Sequence, residues 1–316
     1  MDNQDNMESI KDLNLDHCLR PEFTRTIINQ LVSQRTPVNL IGDTGTGKAR
    51  LIEDICKSHF PDVGMVCIDL KAHVNSYAGL LREIHDQLGL DVVMPEQLTR
   101  LFAVQNERVG QRILFCLDNY DALLGNVNKD DKYNVDFFND LNYLKNRDNV
   151  VLLCTTSHPH STLPVYIKGE SYSNSWLILE LVSLPPLTRK QVSVELQRRI
   201  HPEQAKELTA TPADRERLEK SIYDHPMPYA RLCFLVGKLN TQTEEEIKKS
   251  FKKRLKRWQK EFKRLHKNHW KKSLHNAKNT AKAAIIASGL NVLKLPFLSL
   301  GNFLRSLIGK KDESTK

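Results

Sequence analysis

Val38-Asn39-Leu40-Ile41-Gly42-Asp43-Thr44-Gly45-Thr46-Gly47-Lys48-Ala49-Arg50 reads as a short apolar strand, a glycine-rich loop and the start of a helix. Gly42, Gly45 and Gly47 allow backbone angles that turn successive N–H groups onto phosphate oxygens. The helix adds the partial positive charge of its N-terminus, and Lys48 is spaced to reach the outer phosphates of a nucleoside triphosphate. Gly42, Asp43, Thr44, Gly45, Thr46, Gly47, Lys48, Ala49 and Arg50 are therefore the expected nucleotide-contacting segment. Ala49 breaks the pattern. The residue after the lysine normally offers Mg²⁺ a hydroxyl, and a methyl group leaves the ion to water and phosphate.

Outward from the loop, strand and helix patterns alternate. Pro37–Ile41, Gly64–Leu70, Arg112–Asp118, Asn149–Thr155 and Trp176–Val182 have strand length and composition. Lys48–Phe60, Ser76–Leu88, Pro95–Val109 and Val135–Arg147 have helical spacing. This alternation predicts an α/β fold, a parallel five-stranded sheet with flanking helices. Thr188–Ile200, Pro212–Asp224 and Pro228–Leu239 then read as a helical lid, followed by a long basic helical C-terminal extension. The expected segments are a polar leader (1–18), the α/β domain (19–186), the lid (187–240), a basic amphipathic helix (241–282) and an apolar amphipathic end (283–316).

Asp118 ends an apolar strand, where a carboxylate emerges beside the loop and holds Mg²⁺ through water; the bland alternative is a turn cap. The next residue, where an acid would orient an attacking water, is Asn119, which holds a water without taking its proton. Asp121 stands two positions on, in what also reads as a turn.

In this order the elements resemble the ASCE division of P-loop ATPases, because a strand intervenes between the loop and Asp118. Within that division Cys67-Ile68-Asp69-Leu70, Tyr77-Ala78-Gly79-Leu80-Leu81 and Leu117-Asp118-Asn119-Tyr120-Asp121-Ala122-Leu123 resemble the STAND and initiator-like branches of the AAA+ ATPases. The resemblance covers about residues 22–239. It implies ATP and Mg²⁺ as cofactors and makes Val151–Ser157 the sensor strand, with Thr155 or Thr156 facing the γ-phosphate. It makes Leu184–Thr188 the hinge into the lid. Asp224-His225-Pro226 is similar to the motif whose proline touches the base, and Arg231 to a lid arginine that senses phosphate. Ala49 and Asn119 make both the Walker A and the Walker B elements degenerate, and His158–Ser173 holds a single Lys168 where an arginine finger is expected. The implied activity is a nucleotide-dependent switch or slow ATP hydrolysis, with Lys48, Asp118, Asn119, Thr155 and Thr156 as the catalytic set.

The chain has 316 residues, net charge +9 and 40% hydrophobic residues. No N-terminal apolar run resembles a secretory signal, so the expected location is cytoplasmic, or peripheral at a membrane. The six cysteines lack metal-binding spacing and read as free, largely buried thiols. Charge is concentrated in Lys248–Lys282, where fifteen Lys or Arg residues stand against the single acid Glu261. Phe251, Leu255, Trp258, Phe262, Leu265 and His269 form a heptad seam, with Lys252, Lys253, Arg254, Lys256, Arg257, Lys260, Lys263, Arg264 and Lys267 on the other faces. The seam packs on the lid, on another copy or on lipid. Nucleic acid bound through Lys248–Lys282 accounts for the charge. An anionic membrane surface reached through Ala283–Lys311 accounts for the apolar end as well. Homo-oligomerisation through the seam is the third partner reading.

Overall fold

A computed structural model describes residues 13–58, 60, 63–109, 112–126, 128–168, 170–172, 177–202, 211–242 and 250–267. Among them β1 (Val38–Ile41), β2 (Val63–Asp69), β3 (Arg112–Asp118), β4 (Val150–Thr156) and β7 (Glu180–Ser183) form one parallel sheet in the order β2-β3-β4-β1-β7. β3 and β4 are central and buried on both faces. Alternate residues of β3 face opposite ways: Ile113, Phe115 and Leu117 join one core, Leu114 and Cys116 the other. The first core is closed by α4 (Tyr77–Gln87), α5 (Leu98–Val109) and α7 (Val135–Lys145), and the second by α1 (Pro21–Ile28) and α2 (Lys48–Lys57). Local chemistry sets the helix starts. Ser76 accepts from Gly79 N, and Asn134 from Asp136 N and Phe137 N. Two short helices, α3 (Leu70–His73) and α6 (Asp121–Leu124), and a hairpin of β5 (Val165–Ile167) with β6 (Glu170–Tyr172) complete this part.

A third core lies among α8 (Arg189–Arg199), α9 (Pro212–Tyr223), α10 (Pro228–Asn240) and α11 (Phe251–Leu265). Thr188 and Gln191 form a reciprocal capping box at the start of α8. On α11, Phe251, Leu255, Trp258 and Phe262 are buried. The first three join the lid core, and Phe262 packs on the rings of Phe234 and His225. Of the three seam partners left open by the sequence, the seam up to Phe262 meets the lid. Arg254 is a correction. The helical spacing puts it on the outer basic face, yet it is buried, stacked on Phe251 and bonded to Gln242.

The chain divides after Phe262 into two compact units. The sheet, the lid and α11 as far as Phe262 thus share one unit, where the sequence reading drew three segments. The end of the expected polar leader also contributes to the core, because Leu15 and Cys18 pack beneath α2. The free-thiol reading holds for Cys18, Cys116, Cys154 and Cys233. Cys56 and Cys67 differ in having a partner thiol, because the fold of α2 against β2 places their sulfurs side by side. His269 and the apolar segment Ala283–Lys311 lie outside the described residues. Among the described residues no helix is long and apolar enough to cross a membrane.

Candidate functional site

The phosphate loop leaves β1 at the C-terminal edge of the sheet and enters α2 at Lys48. Gly45 (φ +82°) and Gly47 (φ +103°) occupy the left-handed region, where side chains are disfavoured. A Cβ at Gly45 would also lie 2.9 Å from Met227. Thr46 Oγ1 donates to Asp43 O at 2.6 Å, closing the loop. Lys48 Nζ donates to Gly42 O at 2.5 Å and to Asp43 O at 3.4 Å, so the ammonium lies inside the loop. Burial lowers its pKa, and the carboxylates of Asp121 and Asp118 pull in the opposite direction. Ala49 is exposed at the first turn of α2 and presents no oxygen there.

The ends of β2, β3 and β4 assemble the acidic side. Asp118 lies opposite Asp69 in register, and its carboxylate accepts from the Thr155 hydroxyl and from Asn119 N at 2.9 Å. Burial pushes its pKa up most; the Thr155 hydrogen bond lowers it, and the neighbouring Asp69 raises it. Asn119 sits at φ +55°, a conformation asparagine tolerates better than most residues, and its amide donates to Asp69 Oδ1 at 2.9 Å. Asp121 caps the turn after β4 by accepting from Ser157 N at 2.9 Å. The two threonines part company because neighbouring strand residues face opposite ways. Thr155 joins Asp118, whereas Thr156 is buried against Asn39, whose amide donates to Thr156 Oγ1 at 2.9 Å. The ring of His160 meets Asn39 Oδ1 at 2.9 Å and Leu177 O at 2.8 Å, completing a buried polar network beneath the loop.

Two of the expected contact residues have partners within the protein, and a third is exposed. Arg50 turns away from the loop to Asp54 (2.7 Å), Glu195 (3.1 Å) and His17 O (2.8 Å), tying α2 to α8 and to the leader. Pro226 is exposed; the lid residues that touch the loop are Met227, Tyr229 and Ala230. Arg231 stacks on Phe262 with its guanidinium carbon 5.6 Å from the ring centre, because α11 fills the space beside it. Desolvation lowers its pKa to about 10.

Sequence reasoning missed Arg20. It is 2% exposed and donates to Thr46 O at 2.9 Å and to Pro185 O at 3.1 Å, pinning the loop to the hinge. Burial lowers its pKa to about 10. The signal was an arginine one residue before a helix-starting proline, which by itself says nothing of a partner 165 positions away.

A β2-β3-β4-β1-β7 parallel sheet, with a glycine-rich loop after β1 and an acid ending β3, defines an ASCE-type P-loop fold. Among solved structures the fold is similar to the Walker-type ATPase PABY2304 of Pyrococcus abyssi, with a TM-score of 0.52 and 15% identity over 90% of this chain and 87% of that one. AMPPCP-bound DnaA from Aquifex aeolicus matches with a TM-score of 0.44 and 16% identity, over 78% of this chain and 71% of that one. The ORC1 protein of Aeropyrum pernix, in complex with DNA, matches with a TM-score of 0.43 and 16% identity, over 74% and 64%. No protein-family profile and no curated protein matches the sequence.

Proposed function

We propose that the protein is an ATP-dependent switch with slow hydrolysis, whose basic helix engages nucleic acid. The observation that carries the first part is the Lys48 ammonium held inside a loop with two left-handed glycines, at one of which, Gly45, a Cβ would lie 2.9 Å from Met227. Triphosphate oxygens would meet the loop N–H groups, the helix N-terminus and Lys48 together. Mg²⁺, when bound, would neutralise phosphate charge, and Asp118 would hold it through water. The fit is supported by Asp118 itself, a desolvated carboxylate whose burial a cation would offset. Thr155 orients Asp118. Asn119 holds a water but accepts no proton from it, and Ala49 offers the metal nothing, so turnover is slow.

The second part is supported by α11, whose seam up to Phe262 is spent on the protein's own lid and whose Lys252, Lys253, Lys256, Arg257 and Lys260 are exposed. A surface of one charge sign with its apolar face already covered fits a polyanion rather than self-association. Calorimetric titration of Mg·ATP into wild type, Lys48→Ala and Ala49→Thr tests the nucleotide reading. Binding is expected in wild type and Ala49→Thr, a loss of at least about 100-fold in Lys48→Ala, and faster turnover in Ala49→Thr. Equal binding by Lys48→Ala would sink it. Retention on duplex DNA that weakens steeply with salt supports the partner, whereas binding to anionic liposomes and not to DNA would replace it with a membrane surface.

A further inference from the structure

Helix α10 touches both halves of this reading. At its first turn Tyr229 N and Ala230 N donate to Gly45 O at 3.1 and 3.0 Å, so a carbonyl of the phosphate loop caps the N-terminus of a lid helix. The Met227 side chain closes on Gly45 and that of Tyr229 on Gly47. Further along, α10 and the turn before it grip α11. The rings of Phe234 and His225 lie 5.3 and 5.2 Å from that of Phe262, Arg231 stands over the same ring, and Lys238 pairs with Glu261 at 2.7 Å. The opposite face of α11 carries the exposed Lys252, Lys256 and Lys260 at helical intervals of four, flanked by Lys253 and Arg257.

We propose that α10 links the phosphate loop to the basic face of α11, so that nucleotide binding and nucleic-acid binding alter each other's affinity. The proposal rests on both parts of the function proposed above. In the structure Lys48 is satisfied by the loop's own carbonyls at Gly42 and Asp43. A triphosphate takes over the ammonium, frees those carbonyls and draws the loop N–H groups inward, which shifts the Gly45 carbonyl on which α10 is seated. Packed helices respond by moving as units rather than by deforming. Arg231 marks the part of the lid best suited to a second arrangement. It is buried, its Nε makes no hydrogen bond, and it lies two residues beyond Tyr229 while contacting Phe262. Such an incompletely satisfied cation is costly, as expected of an element balanced between two arrangements.

Linkage requires the two effects to be equal: whatever factor DNA imposes on ATP affinity, ATP imposes on DNA affinity. The test uses the full chain. Mg·ATP affinity is measured by calorimetry without DNA and with saturating duplex DNA, and affinity for a fluorescein-labelled duplex by anisotropy with and without Mg·ATP. In wild type each affinity is expected to change at least about 5-fold, by the same factor in both directions. Phe262→Leu keeps an apolar side chain in the core but removes the ring. Phe234→Leu removes the α10 ring that packs on Phe262, and stands in should Phe262→Leu fold poorly. Each variant is expected to bind either ligand alone within about 2-fold of wild type while the coupling factor falls towards one. If wild type binds both ligands independently, or both variants retain the full factor, the linkage is wrong although the functional reading stands. If either single-ligand titration of wild type shows no binding, the functional reading falls and the linkage with it.

Discussion

Asp118 and Arg20 show how single side chains at the site trade stability for position. The folded environment raises the Asp118 pKa, chiefly by burial. Folding therefore favours the protonated acid. That contribution is present at pH values below the unfolded carboxylate range and is lost as pH rises through the folded pKa, leaving a desolvated charge at neutral pH. Asp118→Asn is expected to raise the melting temperature of the nucleotide-free protein near pH 7.5, with the gain shrinking as pH falls into the carboxylate range, while Mg²⁺-dependent ATP binding weakens. A gain independent of pH in a melting series would contradict the assignment. Arg20 is held differently, by two carbonyls from separate segments. Hydrogen bonds from a charged donor contribute about 1.5–3 kcal/mol. Arg20→Ala is expected to lower ATP affinity roughly 10-fold or more, with Arg20→Lys intermediate, read by calorimetry. The positions of Lys48 at the loop and of Asp118 at the end of its strand were legible because a loop and a strand end are local patterns. Arg20, Met227, Tyr229 and Ala230 were not, because their contacts join distant parts of the chain.

At the scale of elements, β1 and β4 do more than deliver the loop and Thr155. Asn39 is an amide in the middle of an apolar strand, fully buried and bonded to Thr156, Cys154 O and His160. Asn39→Leu matches its size but strands the Thr156 hydroxyl and the groups of His160, each at about 1–3 kcal/mol. Denaturant unfolding is expected to show that loss, with ATP affinity reduced because Gly42 N donates to Thr156 O at 3.1 Å. Unchanged stability would mean that water replaces the amide. Most strands and longer helices were legible from periodicity, within about four residues at each end, whereas α1, the short α3 and α6 and the β5–β6 hairpin were not. The choice between Thr155 and Thr156 was not, since it depends on which face of β4 meets Asp118 and which meets Asn39.

For the molecule as a whole, the helical lid is stabilised by a helix that composition alone describes as a charged tail. Trp258 is 1% exposed among lid residues, and truncating a buried aromatic costs about 3–5 kcal/mol. Trp258→Ala is expected to lower the melting temperature clearly and to expose the lid core to a hydrophobic dye. A surface-like change of under about 0.5 kcal/mol would show that α11 is not seated there. By itself the sequence determined the α/β class, the parallel sheet, the phosphate loop, the acid that faces it and the two departures at Ala49 and Asn119. These are written in short windows whose hydrophobic period and residue chemistry do not depend on remote neighbours. Tertiary structure alone decided that the seam of α11 meets the lid, that Arg231 and Arg254 turn inward, that Arg50 ties α2 to α8, and that Arg20 pins the loop. An amphipathic face requires some apolar partner, and a long cationic side chain can reach either solvent or a ring; only the packing of the complete chain selects which.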